Sequence, residues 1–168
     1  MTCVLETERL RLRYLRSDDL DSMHAYLGDA KTMLHYPAPF SREFVEEWIA
    51  KNADRYAEYG YGLFGVELKS TGEFIGDCGM VWQDLETGPE LEVGYHFHRS
   101  HWNRGYATEA AKACLDWALA NAGVDHVISL IRPENVASAR VAEKNGLRKT
   151  RQIMWKGLLH DVWSISAR

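Results

Sequence analysis

The densest set of residues able to do chemistry in this 168-residue chain lies between Glu90 and Ala111. It reads Glu90-Leu91-Glu92-Val93-Gly94-Tyr95-His96-Phe97-His98-Arg99-Ser100-His101-Trp102-Asn103-Arg104-Gly105-Tyr106-Ala107-Thr108-Glu109-Ala110-Ala111. A strand is expected to run into a short loop, and the loop into a helix whose first turn carries Gly105 and Ala107, too small to shield the backbone N–H groups. Free N–H groups at a helix N-terminus, with the positive end of the helix dipole, bind phosphate oxygens, and side-chain bulk there would block the approach. The charges agree. His96, His98, Arg99, His101 and Arg104 lie between Val93 and Thr108 with no acid among them, while Asp84, Glu86, Glu90 and Glu92 lie just upstream. This is the pattern of an anion cradle directly after an acidic strand. An Ala-rich helix capped by a glycine loop would explain the apolar stripe but not the segregation of charge.

Two other patterns carry less. Gly60-Tyr61-Gly62-Leu63-Phe64-Gly65 matches G-x-G-x-x-G, but a dinucleotide fingerprint follows a strand and opens a helix, whereas this run follows a helix and feeds a strand. His96 and His98 alternate onto one strand face beside His101, yet no paired cysteines or clear carboxylate partner accompany them, so no metal is expected. The chain has no G-x-S-x-G elbow, H-E-x-x-H or phosphate-binding P-loop pattern.

Several elements must position the cradle. Arg9 to Leu15 alternates polar and apolar, predicting a half-buried first strand with its arginines on the wet face. Ser17 is expected to cap a helix with Asp18 and Asp19 in its first turn, ending near Gly28. After Pro37-Ala38-Pro39, Ser41 is expected to cap a second helix running toward Tyr56. Three antiparallel strands are predicted between Tyr61 and Phe97, with turns at Ser70-Thr71-Gly72 and around Glu86 to Pro89, the third strand being Leu91 to Phe97. A long helix follows, striped by Ala107, Ala110, Ala111, Cys114, Leu115, Ala118 and Leu119 and stopped by Gly123. His126 to Ile131 reads as a buried strand, Asn135 opens a short helix closed by Gly146, and two strands around Trp155-Lys156-Gly157 finish the chain. The organisation expected is a single α+β (or α/β, three-layer) domain over residues 1–168, with a mostly antiparallel sheet.

Composition bounds the function. At a formal net charge of -4, with no long run of one sign, general nucleic-acid affinity is not expected, because it depends on neutralising several phosphates with Lys and Arg. Three cysteines, Cys3, Cys78 and Cys114, are an odd count without CxxC spacing, which fits a reducing cytoplasm better than a disulfide framework. No apolar stretch of signal-peptide or membrane-span length is present, so a cytoplasmic location is expected.

The run Trp102-Asn103-Arg104-Gly105-Tyr106-Ala107-Thr108-Glu109-Ala110 resembles the acetyl-CoA pyrophosphate loop of the GNAT acetyltransferases, whose core pattern is Q/R-x-x-G-x-G/A. Trp102 in the first place and the following Gly-Tyr-Ala-Thr-Glu-Ala are similar to the branch that contains the ribosomal-protein N-terminal acetyltransferases RimJ and RimL. Further matches to that branch are Thr7 to Arg13, Thr71-Gly72-Glu73-Phe74-Ile75-Gly76, Asn135 to Gly146, and Gly157-Leu158-Leu159-His160-Asp161. The resemblance spans essentially the whole chain. It implies a mixed, mostly antiparallel seven-stranded sheet, splayed centrally, with helices on both faces.

The resemblance also implies a site and a reaction. Backbone N–H groups of Asn103, Arg104, Gly105 and Ala107, with Trp102 and Tyr106 beside them, would hold the pyrophosphate, and Thr108 would add its hydroxyl. The strand end Tyr95-His96-Phe97 would pair with the pantetheine arm, and Asn135 would bond that arm while also capping its helix. Acetyl would pass directly from acetyl-CoA to a primary amine, either a protein or peptide N-terminal α-amine or a small amine, with no metal. An ammonium of pKa about 8 (α-amino) or about 10.4 (lysine) must first lose a proton. Glu92 is the candidate base, directly or through a water, with Glu90 on the same face as the fallback; a carboxylate that only binds the substrate cation is the other reading. Many members of the superfamily place a tyrosine seven residues after the Asn to protonate the leaving thiolate, and this chain has Ala142 there. Ser138 matches the serine given that role in the RimL-like branch, or is simply a residue of the helix's first turn. The missing tyrosine also allows a catalytically idle acyl-CoA-binding module. The acceptor pocket would form between about Leu27 and Tyr61, where His35, Tyr36, Phe40, Trp48 and Tyr59 make it aromatic. Trp82 and Trp155 would line the cleft or fill the core. The resemblance also allows a homodimer, which is common in the branch.

Overall fold

The structure, a computed structural model, describes residues 3–167. Of the expected 1–168 span, Met1, Thr2 and Arg168 lie outside the described residues. The elements in chain order are β1 (Cys3–Glu6), β2 (Leu10–Tyr14), α1 (Leu20–Leu27), α2 (Arg42–Tyr59), β3 (Leu63–Leu68), β4 (Phe74–Leu85), β5 (Gly88–Phe97), α3 (Tyr106–Asn121), β6 (His126–Ile131), α4 (Val136–Lys144), β7 (Arg148–Trp155) and β8 (Leu158–Ser166). The strands form one sheet in the order β1-β2-β3-β4-β5-β6-β8-β7. The expected seven strands are corrected to eight. The additional β1, 4 residues long, is too short for alternation to announce and is defined by its pairing with β2.

Every neighbouring pair is antiparallel except β5 with β6. That parallel pair has a single backbone register point, Glu92 opposite Ile128. Side chains replace main-chain partners beside it: Ser129 Oγ donates to the Val93 carbonyl at 2.8 Å, and the Leu130 N–H donates to Glu92 Oε2 at 2.8 Å. The sheet is therefore splayed at its centre, as the resemblance implies, and the edge of β5 beyond Val93 faces no backbone of β6.

Two cores flank the sheet. On one face α3 lays Ala110, Ala111, Cys114, Leu115 and Ala118 against Leu10, Leu12, Phe64, Cys78, Met80, Leu91 and Val93. On the other, Met23, Tyr26 and Leu27 of α1 and Val45 and Ile49 of α2 pack with Leu15, Leu63 and Val81. Apolar burial of this kind stabilises by roughly 25 cal/mol per Å². Covering both faces explains one corrected expectation. Arg13, placed on a wet strand face by alternation, is 3% exposed, because that face lies under α1 and α2.

The helix termini follow local chemistry in part. Ser41 caps α2, its Oγ accepting from the Phe44 N–H at 3.1 Å, and Gly60 ends it in the left-handed conformation at φ 80°. Ser17 does not cap α1. Residues Ser17–Asp19 form a 3-10 turn, and Asp19, just before α1, makes no side-chain cap bond to that helix: its Oδ2 accepts from the Arg16 N–H at 2.7 Å while its carboxylate also holds Arg13. Among the described residues no helix is long and apolar enough to cross a membrane.

Candidate active site

The loop read as an anion cradle lies between β5 and α3. Asn103 and Gly105 both have positive φ, 61° and 82°, and Gly105 is the N-cap of α3 without any side-chain cap bond. Left-handed residues alternating with right-handed ones turn successive N–H groups toward one concavity. The first intrahelical bond beyond this cap is from Glu109 N to Gly105 O at 3.1 Å, so the N–H groups of Tyr106, Ala107 and Thr108 remain for a ligand. Trp102 braces the loop: its Nε1–H donates to the Phe97 carbonyl at 2.8 Å while the ring stays exposed. Thr108 is tied through its carbonyl, which accepts from Asn145 Nδ2 at 3.2 Å.

A brace that sequence reasoning missed holds this loop from outside. Arg9 Nε lies 2.7 Å from Glu109 Oε2, Thr7 Oγ1 donates to Glu109 Oε1 at 2.7 Å, and the Arg9 N–H donates to the same oxygen at 2.9 Å. Arg9 also donates to the Arg104 carbonyl at 2.9 Å and stacks its guanidinium 4.4 Å from the Tyr106 ring centroid. Burial opposes the charge on Glu109, but the bonds from Thr7 and Arg9 prevail and hold its carboxyl below the usual range. The one acid at the start of α3 is thereby neutralised. The signal was present: the Thr7-Glu8-Arg9 run and Glu109 belong to two matched motifs 100 residues apart, and alternation in a strand does not show that they touch.

The expected chemical groups divide between the two faces of the sheet. On the α3 and α4 face, Tyr95 points at α4 and its hydroxyl donates to the Ser138 carbonyl at 3.4 Å; burial pushes that phenol up. Asn135 caps α4, its Oδ1 accepting from the Ser138 N–H at 3.2 Å, and Ala142, where a tyrosine acid stands in many relatives, is buried. On the opposite face lie Glu92 and His96, with Gly94 between them; a Cβ built on Gly94 meets nothing within 4 Å.

Both oxygens of Glu92 are engaged, Oε2 by the Leu130 N–H and Oε1 by Gln83 Nε2 at 3.0 Å. Burial raises its carboxyl above the usual range, against those two bonds and the nearby Lys156 charge. Glu90, the fallback base, is fully tied up at 2.7 to 2.9 Å by Arg151, Thr87 and His126, and these bonds outweigh its burial and lower it. It is a structural anion.

The three histidines diverge. His96 Nδ1 lies 3.0 Å from Asp77 Oδ1, His98 Nδ1 accepts from the Ser100 N–H at 3.2 Å, and His101 Nε2 lies 3.2 Å from Glu73. No group of three His, Cys, Asp or Glu side chains placed to hold a metal occurs among the described residues. Of the acceptor-side aromatics, Tyr36 and Trp48 meet the His96 ring at 5.1 and 5.6 Å, and Phe40 meets both Tyr36 and Trp48. Tyr59 instead stacks on Tyr61, which receives the Trp82 Nε1–H at 3.0 Å; this pair lies away from His96. Trp155 packs on His160 at the β7–β8 turn.

A family model described as the acetyltransferase (GNAT) domain matches residues 9–148. The chain belongs to the GNAT acetyltransferase family. This GNAT chain is 39% identical over 150 residues to the uncharacterized protein YkkB of Bacillus subtilis, covering 89% of this chain and 87% of that one. It is similar to a solved acetyltransferase from Agrobacterium tumefaciens at 28% identity and a TM-score of 0.83, covering 96% of this chain and 92% of that one. RimL, solved as the ribosomal L7/L12 α-N-protein acetyltransferase in complex with coenzyme A, shares the fold at 17% identity and a TM-score of 0.76, with 98% of each chain covered. GNAT acetyltransferases use acetyl-CoA, and the enzyme is an acyltransferase.

Proposed function

We propose that this enzyme, as one domain over residues 1–168, moves acetyl from the thioester of acetyl-CoA to a primary amine by direct attack. The acceptor class is a protein or peptide N-terminal α-amine, or a small amine with an apolar portion. The observation that carries the reading is the single-point joint between β5 and β6, which leaves the β5 edge from Gly94 to His96 without a β6 backbone partner beside a cradle of unpartnered N–H groups.

The residues present fit the cosubstrate. The N–H groups of Asn103, Arg104, Gly105, Tyr106 and Ala107, with the Thr108 hydroxyl, would receive the pyrophosphate oxygens, and Trp102 would keep the loop in shape. The main chain of Tyr95, His96 and Phe97 would bond the pantetheine as a neighbouring strand does, and the Asn135 side-chain amide, whose oxygen already caps α4, would donate to the same arm. Glu92 supplies negative charge where an ammonium must arrive, and Ser138 would stabilise the departing thiolate. A free thiol has a pKa of about 8.5, so that departure needs only modest help. Two groups on the acceptor face are able to take the amine's proton, Glu92 and His96.

The aromatic wall of Tyr36, Phe40 and Trp48 supports an acceptor with an apolar part over a polycation, which would be matched by more carboxylates. The fold likeness to RimL supports the N-terminal α-amine among these acceptors. Buried Ala142 in place of a tyrosine acid favours the alternative, an idle acyl-CoA-binding module. Thiol release from acetyl-CoA, followed with a panel of amines and N-terminal peptides, separates the two: turnover with any acceptor supports the enzyme, and coenzyme A binding without turnover across the panel supports the module. Gly105→Glu places a carboxylate at a positive φ in the cradle and is expected to weaken coenzyme A binding by at least about tenfold in calorimetry; unchanged affinity would show that the cradle is elsewhere.

A further inference from the structure

We propose that Nε2 of His96 takes the proton from the acceptor amine, with Asp77 and Tyr26 as positioning residues behind it. The inference rests on the acetyl-transfer reading above. Three observations converge on it. The first is a buried chain of hydrogen bonds: the Tyr26 hydroxyl donates to Asp77 Oδ2 at 2.7 Å, and Asp77 Oδ1 lies 3.0 Å from His96 Nδ1. Asp77 is wholly buried and Tyr26 is 1% exposed. A carboxylate enclosed in this way needs donors, so it fixes the imidazole tautomer with hydrogen on Nδ1 and leaves a lone pair on Nε2.

The second observation is that lone pair. Nε2 is buried and has no hydrogen-bond partner among the described residues. Leaving such an atom unpaired is costly in a fold that satisfies the rest of the same chain of bonds, which points to a partner supplied from outside. The third is space. His96 and Glu92 project from the same face of β5, and a Cβ at Gly94 between them would meet nothing within 4 Å. In the acetyl-transfer reading the thioester would lie along this same strand. The wall of that space is aromatic: Trp48 stands on α2, whereas Tyr36 is carried by the turns between α1 and α2 and is 39% exposed.

The groups facing His96 are Asp77 from β4, Tyr26 from α1, Tyr36 from the loop and Glu92 from its own strand; α2 contributes the uncharged Trp48. Glu92 and His96 therefore divide the work. Glu92, with both oxygens already accepting, stays an anion that draws the ammonium in, and His96 has the free nitrogen. The ammonium gives one proton to Nε2. The freed nitrogen pair then forms the C–N bond at the thioester carbonyl carbon, and the C–S bond breaks with its pair on sulfur. The second nitrogen proton ends on that sulfur, giving amide and thiol, and the imidazolium returns its proton to water.

The test uses the full chain with an acceptor found in the panel. His96→Gln is expected to lower kcat by about 100-fold or more, with coenzyme A affinity unchanged, and to abolish the acidic limb of the kcat/KM pH profile. Asp77→Asn, which removes the tautomer lock, is expected to lower kcat and move that limb without changing coenzyme A affinity. Long-range nitrogen NMR of the wild-type protein gives a reading that needs no variant to fold: hydrogen on Nδ1 is expected, and hydrogen on Nε2 would overturn the assignment. So would a His96→Gln enzyme that keeps its rate and acidic limb, especially if Glu92→Gln loses both. Wild-type protein that binds coenzyme A yet acetylates nothing would instead remove the acetyl-transfer reading, and this inference with it.

Discussion

Arg13 lies almost dry between two acids, its Nε 2.6 Å from Glu67 and its terminal nitrogens 2.8 Å from both oxygens of Asp19. The fork geometry is the kind that only a guanidinium fills, and Asp19, the first of its two carboxylate partners, raises the Arg13 pKa against the cost of burial. Removing one partner leaves a buried charge, which costs about 3–5 kcal/mol. Asp19→Ala should therefore lose about 3–5 kcal/mol in urea denaturation, and Arg13→Lys should not escape a large loss, because an ammonium cannot serve both acids in two forks. Little of this was legible. Period-two spacing shows that Arg9, Arg11 and Arg13 share a face, but not that helices cover the face at Arg13, nor that Glu67 is opposite. His96 shows the same limit: its type and strand position were readable, and its partner Asp77, on another strand, was not.

At the scale of elements, the joint between β5 and β6 depends on side chains. Ser129→Ala removes the donor to the Val93 carbonyl and should cost about 1–2 kcal/mol, with faster amide exchange in β6 than in β3. Two carboxylates near the site should show opposite pH signatures. Glu92 is raised from 4.5 in the fold, so its stabilising share is present below about pH 4.5 and is lost as pH rises through the raised value. Glu92→Gln should gain in melting temperature relative to the wild type between about pH 4 and pH 7 while losing activity. Glu109 is lowered from 4.5, so its share is present above about pH 4.5 and lost as pH falls through the lowered value. Glu109→Gln should be less stable than the wild type at neutral pH, and the gap should close in acid. Differential scanning calorimetry across pH decides both. The long helix and its glycine entrance were legible because period and small residues both mark them, whereas the 3-10 turn before α1 was not, because Asp19 is committed to Arg13.

For the whole molecule, the charge of -4 is an average over unlike parts. The loop from Val93 to Thr108 is free of acids, and two of the four acids before it are engaged within the fold: Glu90 by Arg151 and His126, Glu92 by Leu130 and Gln83. A cosubstrate bridging the splayed edge should stabilise the fold by mass action, about 2.7 kcal/mol when its concentration is 100 times Kd. For a chain of this size that corresponds to a rise of roughly 5–10 °C in melting temperature. Thermal scans with coenzyme A should show it, and Gly105→Glu should cut the rise at the same coenzyme A concentration to about half or less. The single parallel bridge at Glu92 and Ile128 also has a kinetic side. Strands β3, β4 and β5 pair with their sequence neighbours as a meander across tight turns, so their contacts close short loops, while β6, β8 and β7 must attach across the α3 crossover through one backbone point. The meander is expected to be formed in the folding transition state and the last three strands to dock after it. The groove that admits the thioester would then be the last seam to close as the chain folds and the first to part as it unfolds.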